Sequence, residues 1–353
     1  MDNLNIIKEA NDKLFNSQKE KNVNLDKIIF VYTPPKVGST SLVSSIRLSA
    51  ANKFCVIHLH DEIMLKVFTG IEKVSINDII AYNAFIGKTV FVIDIYRTPI
   101  ERKISEYFEK LSAYHFNNSE ENLNRYNVDL VIKRFNKLFP YLGNGDHYFE
   151  KFNIPVPGKF NFNKNFSLQL INGVFYLKLR LRDFSEWGNI LTKILQTRIV
   201  MIEDYKTENK KIGDLYKMFL FKYKIPSNYL DEISNDKYLN YYYSTQEKGE
   251  YINRWSIKKT NDQMPYSENE FKLYMEISLE NSVYDIIQGD HYADSGCLCN
   301  KCSVKRSELF NKLLRGEKIT ERINHGQWTN NQGKIDFPLQ TQNRKKFGIN
   351  FSS

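Results

Sequence analysis

The apolar positions of this chain gather into short unbroken runs separated by polar, helix-spaced stretches. Ile28-Ile-Phe-Val-Tyr32 is the first such run, and the absence of a polar interruption predicts a strand buried on both faces. Phe54-Cys-Val-Ile-His-Leu-His60 predicts a second short strand ending in two histidines. Thr89-Val-Phe-Val-Ile-Asp-Ile-Tyr96 predicts a third, apolar on both faces as a central parallel strand should be. Between them, Leu42, Ile46 and Leu48, then the segment Ile76–Phe85, carry helical spacing. Strand, helix, strand, helix and strand within about 70 residues predict a right-handed βαβ sheet covered on both sides. The expected class is α/β, a three-layer fold with a central parallel sheet flanked by helices.

The pattern also divides the chain. Residues 1–27 are expected to form a helical or loosely ordered leader, with Leu4, Ile7 and Leu14 as its apolar positions. Residues 28–260 carry the strand and helix signals and form the expected main domain. Within them, residues 110–170 are aromatic, asparagine-rich and irregular, with a helix near Leu130–Phe139. They are expected as an insertion that supplies the acceptor side of a site. Gly173-Val-Phe-Tyr-Leu-Lys-Leu-Arg-Leu-Arg-Asp183 reads as an apolar strand, Arg198-Ile-Val-Met-Ile-Glu203 as a further one, and Ile212–Phe221 as a helix. Residues 261–353 form a C-terminal extension that holds a cysteine cluster.

Chemistry enters at the turn after the first strand. Pro34 and Pro35 have no N–H to donate, so they stop the ladder. Gly38 permits a tight backbone, and Ser39-Thr40-Ser41 opens the following helix. A strand, a tight turn and a helix N-terminus aim backbone N–H groups and a dipole end at an anion. Lys36 adds a positive charge. The loop is not a Walker A motif, because Lys36 precedes Gly38 instead of following a second glycine. A turn of this composition can also serve as a plain strand-to-helix join.

Composition sharpens the choice of partner. The 353 residues are 42% hydrophobic, enough for a sizeable core, and the formal charge of +9 favours anionic partners. With no basic run of five or more and no nucleic-acid motif, nucleic acid is the weaker of these. The polar N-terminal stretch has no apolar signal core, and no stretch approaches the roughly 20 apolar residues that span a bilayer. Four cysteines, three of them clustered, do not make a disulfide framework. A soluble, cytoplasmic protein in a reducing compartment is expected.

Two motifs together carry a family resemblance. Pro35-Lys-Val-Gly-Ser-Thr-Ser-Leu42 resembles the 5′-phosphosulfate loop of sulfotransferases that use 3′-phosphoadenosine 5′-phosphosulfate (PAPS). Arg97-Thr-Pro-Ile-Glu-Arg-Lys-Ile-Ser-Glu-Tyr-Phe108, directly after the third strand, resembles their 3′-phosphate site. The resemblance implies that Lys36, Val37, Gly38, Ser39, Thr40 and Ser41 hold the 5′-phosphosulfate and that Arg97 and Ser105 hold the 3′-phosphate. It implies a P-loop-like fold, and Lys36 as the group that stabilises the leaving phosphosulfate. A looser likeness to capsular polysaccharide synthesis proteins rests on Tyr148–Ile154, Gly173–Asp183, Tyr223–Leu230 and Tyr238–Trp255, so that the resemblance covers residues 25–258.

For the acceptor's proton, His58 and His60 stand two residues apart, which puts both on one face of a strand. A histidine titrating near neutrality suits a general base. The His-x-His arrangement resembles the uronyl 2-O-sulfotransferases, in which the second histidine is the proposed base; His60 is therefore the expected base, with Asp61 and Glu62 as carboxylate alternatives. The expected activity is sulfuryl transfer from PAPS to a hydroxyl of a glycan, polysaccharide or related acceptor. The competing readings are a P-loop-type nucleotide-dependent kinase and a non-catalytic glycan- or nucleotide-binding protein. Separately, Cys297, Cys299 and Cys302 with His291 offer three thiolates and an imidazole, a set that suits structural zinc or else leaves free surface thiols.

Overall fold

The computed structural model describes residues 3–17, 24–50, 53–109, 111, 128–138, 146–152, 160–203, 207–261 and 315. The chain divides into two compact units. The first comprises Met1–Arg102, Gly143–Tyr205 and Glu232–Asn253, and the second Lys103–Leu142, Lys206–Asp231 and Arg254–Ser353.

The first unit is a mixed α/β structure on a five-stranded sheet. Its strands are β1 (Lys27–Tyr32), β2 (Cys55–Leu59), β3 (Thr89–Tyr96), β4 (Phe166–Ile171) and β5 (Val174–Arg180), in the order β2-β1-β3-β5-β4. The first four in that order run parallel, while β4 pairs antiparallel with β5 at the edge. The helices α1 (Asn3–Ser17), α2 (Ser39–Ala50), α3 (Glu62–Thr69), α4 (Ile76–Phe85) and α5 (Pro99–Glu109) complete the N-terminal part, with α5 continuing into the second unit.

Alternation along the strands sends side chains to two separate cores. Ile28, Phe30 and Tyr32 of β1 join Ile57, Val90 and Val92 on one face, with Leu14 of α1, Leu65 of α3 and Ile79 of α4. Ile29 and Val31 join Val56, Ile93, Ile95 and Leu177 on the other, with Leu42 and Ile46 of α2 and Leu191 of the helix Trp187–Leu195. Each side chain in these rows is almost wholly removed from water, and burial of a Leu or Ile side chain contributes about 1.5–3 kcal/mol. Local signals set the helix ends. Asp61 caps α3 by accepting from Met64 N–H, and Ser75 with Asp78 forms a reciprocal capping box on α4.

The N-terminal stretch takes the helical form where it is described: α1 seals one core with Ala10, Leu14 and Phe15, and Asn83 Nδ2 donates to Asn11 Oδ1 at 2.7 Å. Two other expectations need correction. The stretch 160–171 is not irregular, because it contains β4, joined to β5 by Asn172-Gly173 with φ of 49° and 80°. That pair has the positive dihedrals a two-residue hairpin turn requires. Residues 198–203 form no strand. Their N–H groups are met instead by hydroxyls, Ile199 by Thr192, Val200 by Ser49 and Ile202 by Ser45, each at 2.9 Å. An apolar run thus satisfies its backbone on a helix surface in place of a ladder.

The second unit is held by aromatic packing. Tyr107, Phe108, Phe135, Tyr216, Phe219 and Tyr223 make a chain of edge-on and stacked ring contacts between 5.0 and 5.7 Å. Trp255 closes the chain against Tyr223. Tyr223 and Tyr229 both reach Asn136, through Oδ1 at 3.1 Å and the carbonyl at 3.2 Å. This unit also holds a two-stranded parallel pair, Ile225–Pro226 with Lys259–Thr260. Among the described residues, no helix is long and apolar enough to cross a membrane.

Candidate functional site

The parallel strands of the first unit end together, and their carboxyl ends carry the residues of interest. β1 stops because Pro34 and Pro35 follow it. Thr33 is the last residue to pair: its N–H reaches Leu59 O at 3.3 Å. Its hydroxyl then does what a further peptide would, accepting from Ile95 N–H at 3.0 Å and donating to Asp94 Oδ1 at 2.7 Å.

The loop that follows turns through two left-handed residues, Lys36 at φ 66° and Gly38 at φ 89°. Gly38 is favoured by its dihedral, which disfavours any L side chain, and an added Cβ would also press on Leu181 Cδ1 at 2.7 Å, which would have to shift. Lys36 adopts such a dihedral without being glycine, at a cost of about 1–2 kcal/mol. The first bond of α2, Leu42 N–H to Gly38 O at 3.2 Å, follows directly. The helix N-terminus therefore begins where the loop ends, with its dipole directed at the loop.

The side chains of the expected anion loop divide. Val37 packs into the core and can offer only its backbone. Ser39 and Ser41 are buried, Thr40 is exposed, and Lys36 is half-buried. Arg97, at the end of β3, donates from Nη1 to Lys36 O at 2.7 Å and so ties the loop to the next strand. Ser105 is buried on α5, in the part that belongs to the second unit.

His58 and His60 do come together, with ring centroids 4.6 Å apart and planes nearly perpendicular. His60 Nδ1 lies 2.7 Å from Thr33 O. A carbonyl can only accept, so Nδ1 carries the proton and Nε2 keeps its lone pair. Burial lowers the pKa of His60, as do Lys36 and Arg102, against the raising effects of the Thr33 carbonyl and Asp61. His60 is thus held neutral with Nε2 as an acceptor. His58 is different: burial, then His60 and Arg47, push it down to about 4, and its Nε2 is buried without a hydrogen-bond partner. A base that weak is poorly matched to neutral pH.

The two carboxylate alternatives have other work. Asp61 caps α3, and Glu62 accepts from Tyr32 Oη at 3.3 Å and Ile76 N–H at 3.0 Å. Arg102 is a residue that pattern reading passed over; it sits on the first turns of α5, near enough to His60 to act on its charge.

Pattern reading also missed a buried ion cluster. Lys178 of β5, 1% exposed, pairs with Asp94 of β3 and, at 2.8 Å, with Asp146. Asp146 Oδ1 accepts from Tyr148 N–H at 2.9 Å and Phe149 N–H at 3.2 Å, capping the short helix His147–Glu150. The ammonium lies over the Tyr242 ring at 4.6 Å and the Tyr148 ring at 5.1 Å. Burial works against charge on Lys178, but Asp146 and Asp94 outweigh it and raise its pKa. Next to this cluster, His147 stacks on Tyr32 with centroids 4.3 Å apart. Burial lowers the His147 pKa, and its Nε2 has no hydrogen-bond partner.

Cys297, Cys299, Cys302 and His291 lie outside the described residues. Among the described residues, no group of three or more His, Cys, Asp or Glu side chains is placed to hold a metal ion. No family model, curated protein or solved structure matches this chain.

Proposed function

We propose that this chain is a PAPS-dependent sulfotransferase on a P-loop-like fold, acting on a hydroxyl of a glycan, polysaccharide or related acceptor. One observation carries the reading: a left-handed, cationic strand-to-helix loop and a neutral imidazole with a fixed acceptor nitrogen stand at the carboxyl ends of neighbouring parallel strands in one sheet. Open α/β sheets bind ligands at that edge.

In this reading Lys36 and the N-terminus of α2 face the 5′-phosphosulfate, and Arg97 braces the loop while facing the nucleotide. Ser105 enters through the motif alone. The acceptor oxygen forms the new S–O bond as the S–O bond to the 5′-phosphate breaks. Its proton passes to His60 Nε2, and Lys36 offsets the charge that grows on the leaving phosphate. A kinase would require a metal-supported triphosphate site, for which the loop offers no Walker lysine.

Calorimetric titration with 3′-phosphoadenosine 5′-phosphate, 5′-AMP and ATP tests the reading. Binding that requires the 3′-phosphate, and that weakens at least tenfold in Arg97→Ala, is the expected result. Equal binding of all three nucleotides, or binding of none, sinks it.

A further inference from the structure

We infer that the buried Lys178–Asp94–Asp146 cluster is a positioning device for His60, acting through the hydroxyl and the carbonyl of Thr33. The inference rests on the reading of His60 as the base.

Each link is a short contact between groups with little freedom. Asp146 holds Lys178 from one side, and its remaining oxygen is fixed by two N–H groups of the helix it caps. Lys178 in turn occupies Asp94 Oδ2. That leaves Asp94 Oδ1 for the Thr33 hydroxyl, at 2.7 Å, and for Ile95 N–H, also at 2.7 Å. All four carboxylate oxygens therefore have a named donor, and the cluster has one arrangement.

Thr33 is where the cluster meets the site. Its position before Pro34 restricts its backbone to extended conformations, and the following prolines offer no N–H that could extend the ladder. The hydroxyl supplies the missing cross-strand bonds to β3. With backbone and side chain both held, its carbonyl has a fixed direction, and His60 Nδ1 meets it at 2.7 Å. A fixed carbonyl selects one tautomer, which is what a base needs from its partner. The charged and titratable groups around His60 are Lys36 of the loop, Asp61 at the start of α3, Arg102 of α5 and the ring of His58. Asp94, Lys178 and Asp146 touch neither reacting atoms nor His60 itself, so they are positioning residues.

Long-range ¹H–¹⁵N spectra of the histidine rings test this on the full chain, with His60→Gln to assign the His60 signals. The expected parent spectrum shows His60 protonated on Nδ1. Thr33→Val, which removes the hydroxyl and keeps the shape, is expected to mix the tautomers and shift the His60 titration. Thr33→Ser is expected to restore both. In turnover, Thr33→Val should lower kcat by up to about 100-fold, the lower end of what a positioned general base contributes, with nucleotide affinity nearly unchanged. A parent His60 protonated on Nε2 overturns the inference without any variant. So does a folded Thr33→Val whose His60 tautomer and titration match the parent. Nucleotide titration of the same samples is a separate readout: failure there removes the sulfotransferase reading, while the spectra still decide whether Thr33 sets the tautomer.

Discussion

Lys36 and Lys178 occupy opposite extremes of the same unit. Lys178 is 1% exposed, paired with two carboxylates and laid over two aromatic rings. Lys36 is half-buried in a left-handed turn, a backbone conformation that disfavours its own side chain. One lysine is a tie that the architecture depends on. The other is held in a backbone conformation that costs energy, the kind of strain that collects at functional sites. Arg180 and Arg97 repeat the contrast at the next level. Arg180 is spent on Asp183, Glu247, Asn165 and the Tyr242 carbonyl, among Phe160 and Tyr243, whereas Arg97 ties the loop after β1 through the Lys36 carbonyl.

The sharpest way to break this comparison is to remove each lysine in turn. Lys178→Met leaves two buried carboxylates without their counter-ion, and breaking a buried pair from one side costs about 3–5 kcal/mol. Urea denaturation is expected to show that loss, or no folded protein at all. Lys36→Met should change stability by less than about 1 kcal/mol while abolishing PAPS turnover. Equal stability losses in the two variants would erase the distinction.

A second test uses acid. His58, His60 and His147 all have pKa values lowered by burial, His58 to about 4. In the unfolded chain each titrates near its ordinary value of about 6.5. The folded state therefore takes up these protons less readily than the unfolded state does. Their contribution is fully present above about pH 6.5 and is lost as the pH falls towards 4. For His58 alone the loss is on the order of 3 kcal/mol over that window. The stability difference between parent and His58→Gln should shrink by that amount between pH 7 and pH 4. Parallel curves for the two proteins would show that His58 is not buried neutral.

Much of the fold was legible because β1, β2 and β3 are largely apolar runs, broken within only by His58 and Asp94, and burial on both faces leaves that trace in the sequence. The pairing of His58 and His60 was legible from their two-residue spacing, although β2 ends at Leu59 and His60 lies one residue past it. β4 was overlooked, since Leu168 and Leu170 point outward and blur its alternation. Asn172-Gly173 was the available signal, a hairpin turn between two apolar runs. Residues 198–203 misled in the opposite direction, because nothing local says that Ser45 and Ser49, 157 and 151 residues away, would satisfy their N–H groups. The ion cluster was hidden for the same reason. Asp94 and Lys178 each sit in a strand that otherwise reads as apolar, and their pairing spans 84 residues. A charged residue declares itself structural only when its partner is known, and partners at that separation are set by topology.

The smallest effect separates strain from charge at Lys36. Lys36→Ala removes the ammonium but keeps a Cβ in the left-handed conformation. Lys36→Gly removes both, relieving about 1–2 kcal/mol of backbone strain against the roughly 0.5–1 kcal/mol that glycine's unfolded freedom takes back. Lys36→Gly should therefore be the more stable of the two by up to about 1 kcal/mol in thermal or urea melts. Both should lose nucleotide affinity to the same degree, because both lose the same charge. If Lys36→Ala proves the more stable, the turn holds no strain worth relieving and the φ of 66° is no mark of function. If the glycine variant is more stable yet binds nucleotide as the parent does, the strain is real and Lys36 is not the anion's partner. The combination expected, higher stability with lost binding, is that of a residue kept at a conformational cost for the charge it presents.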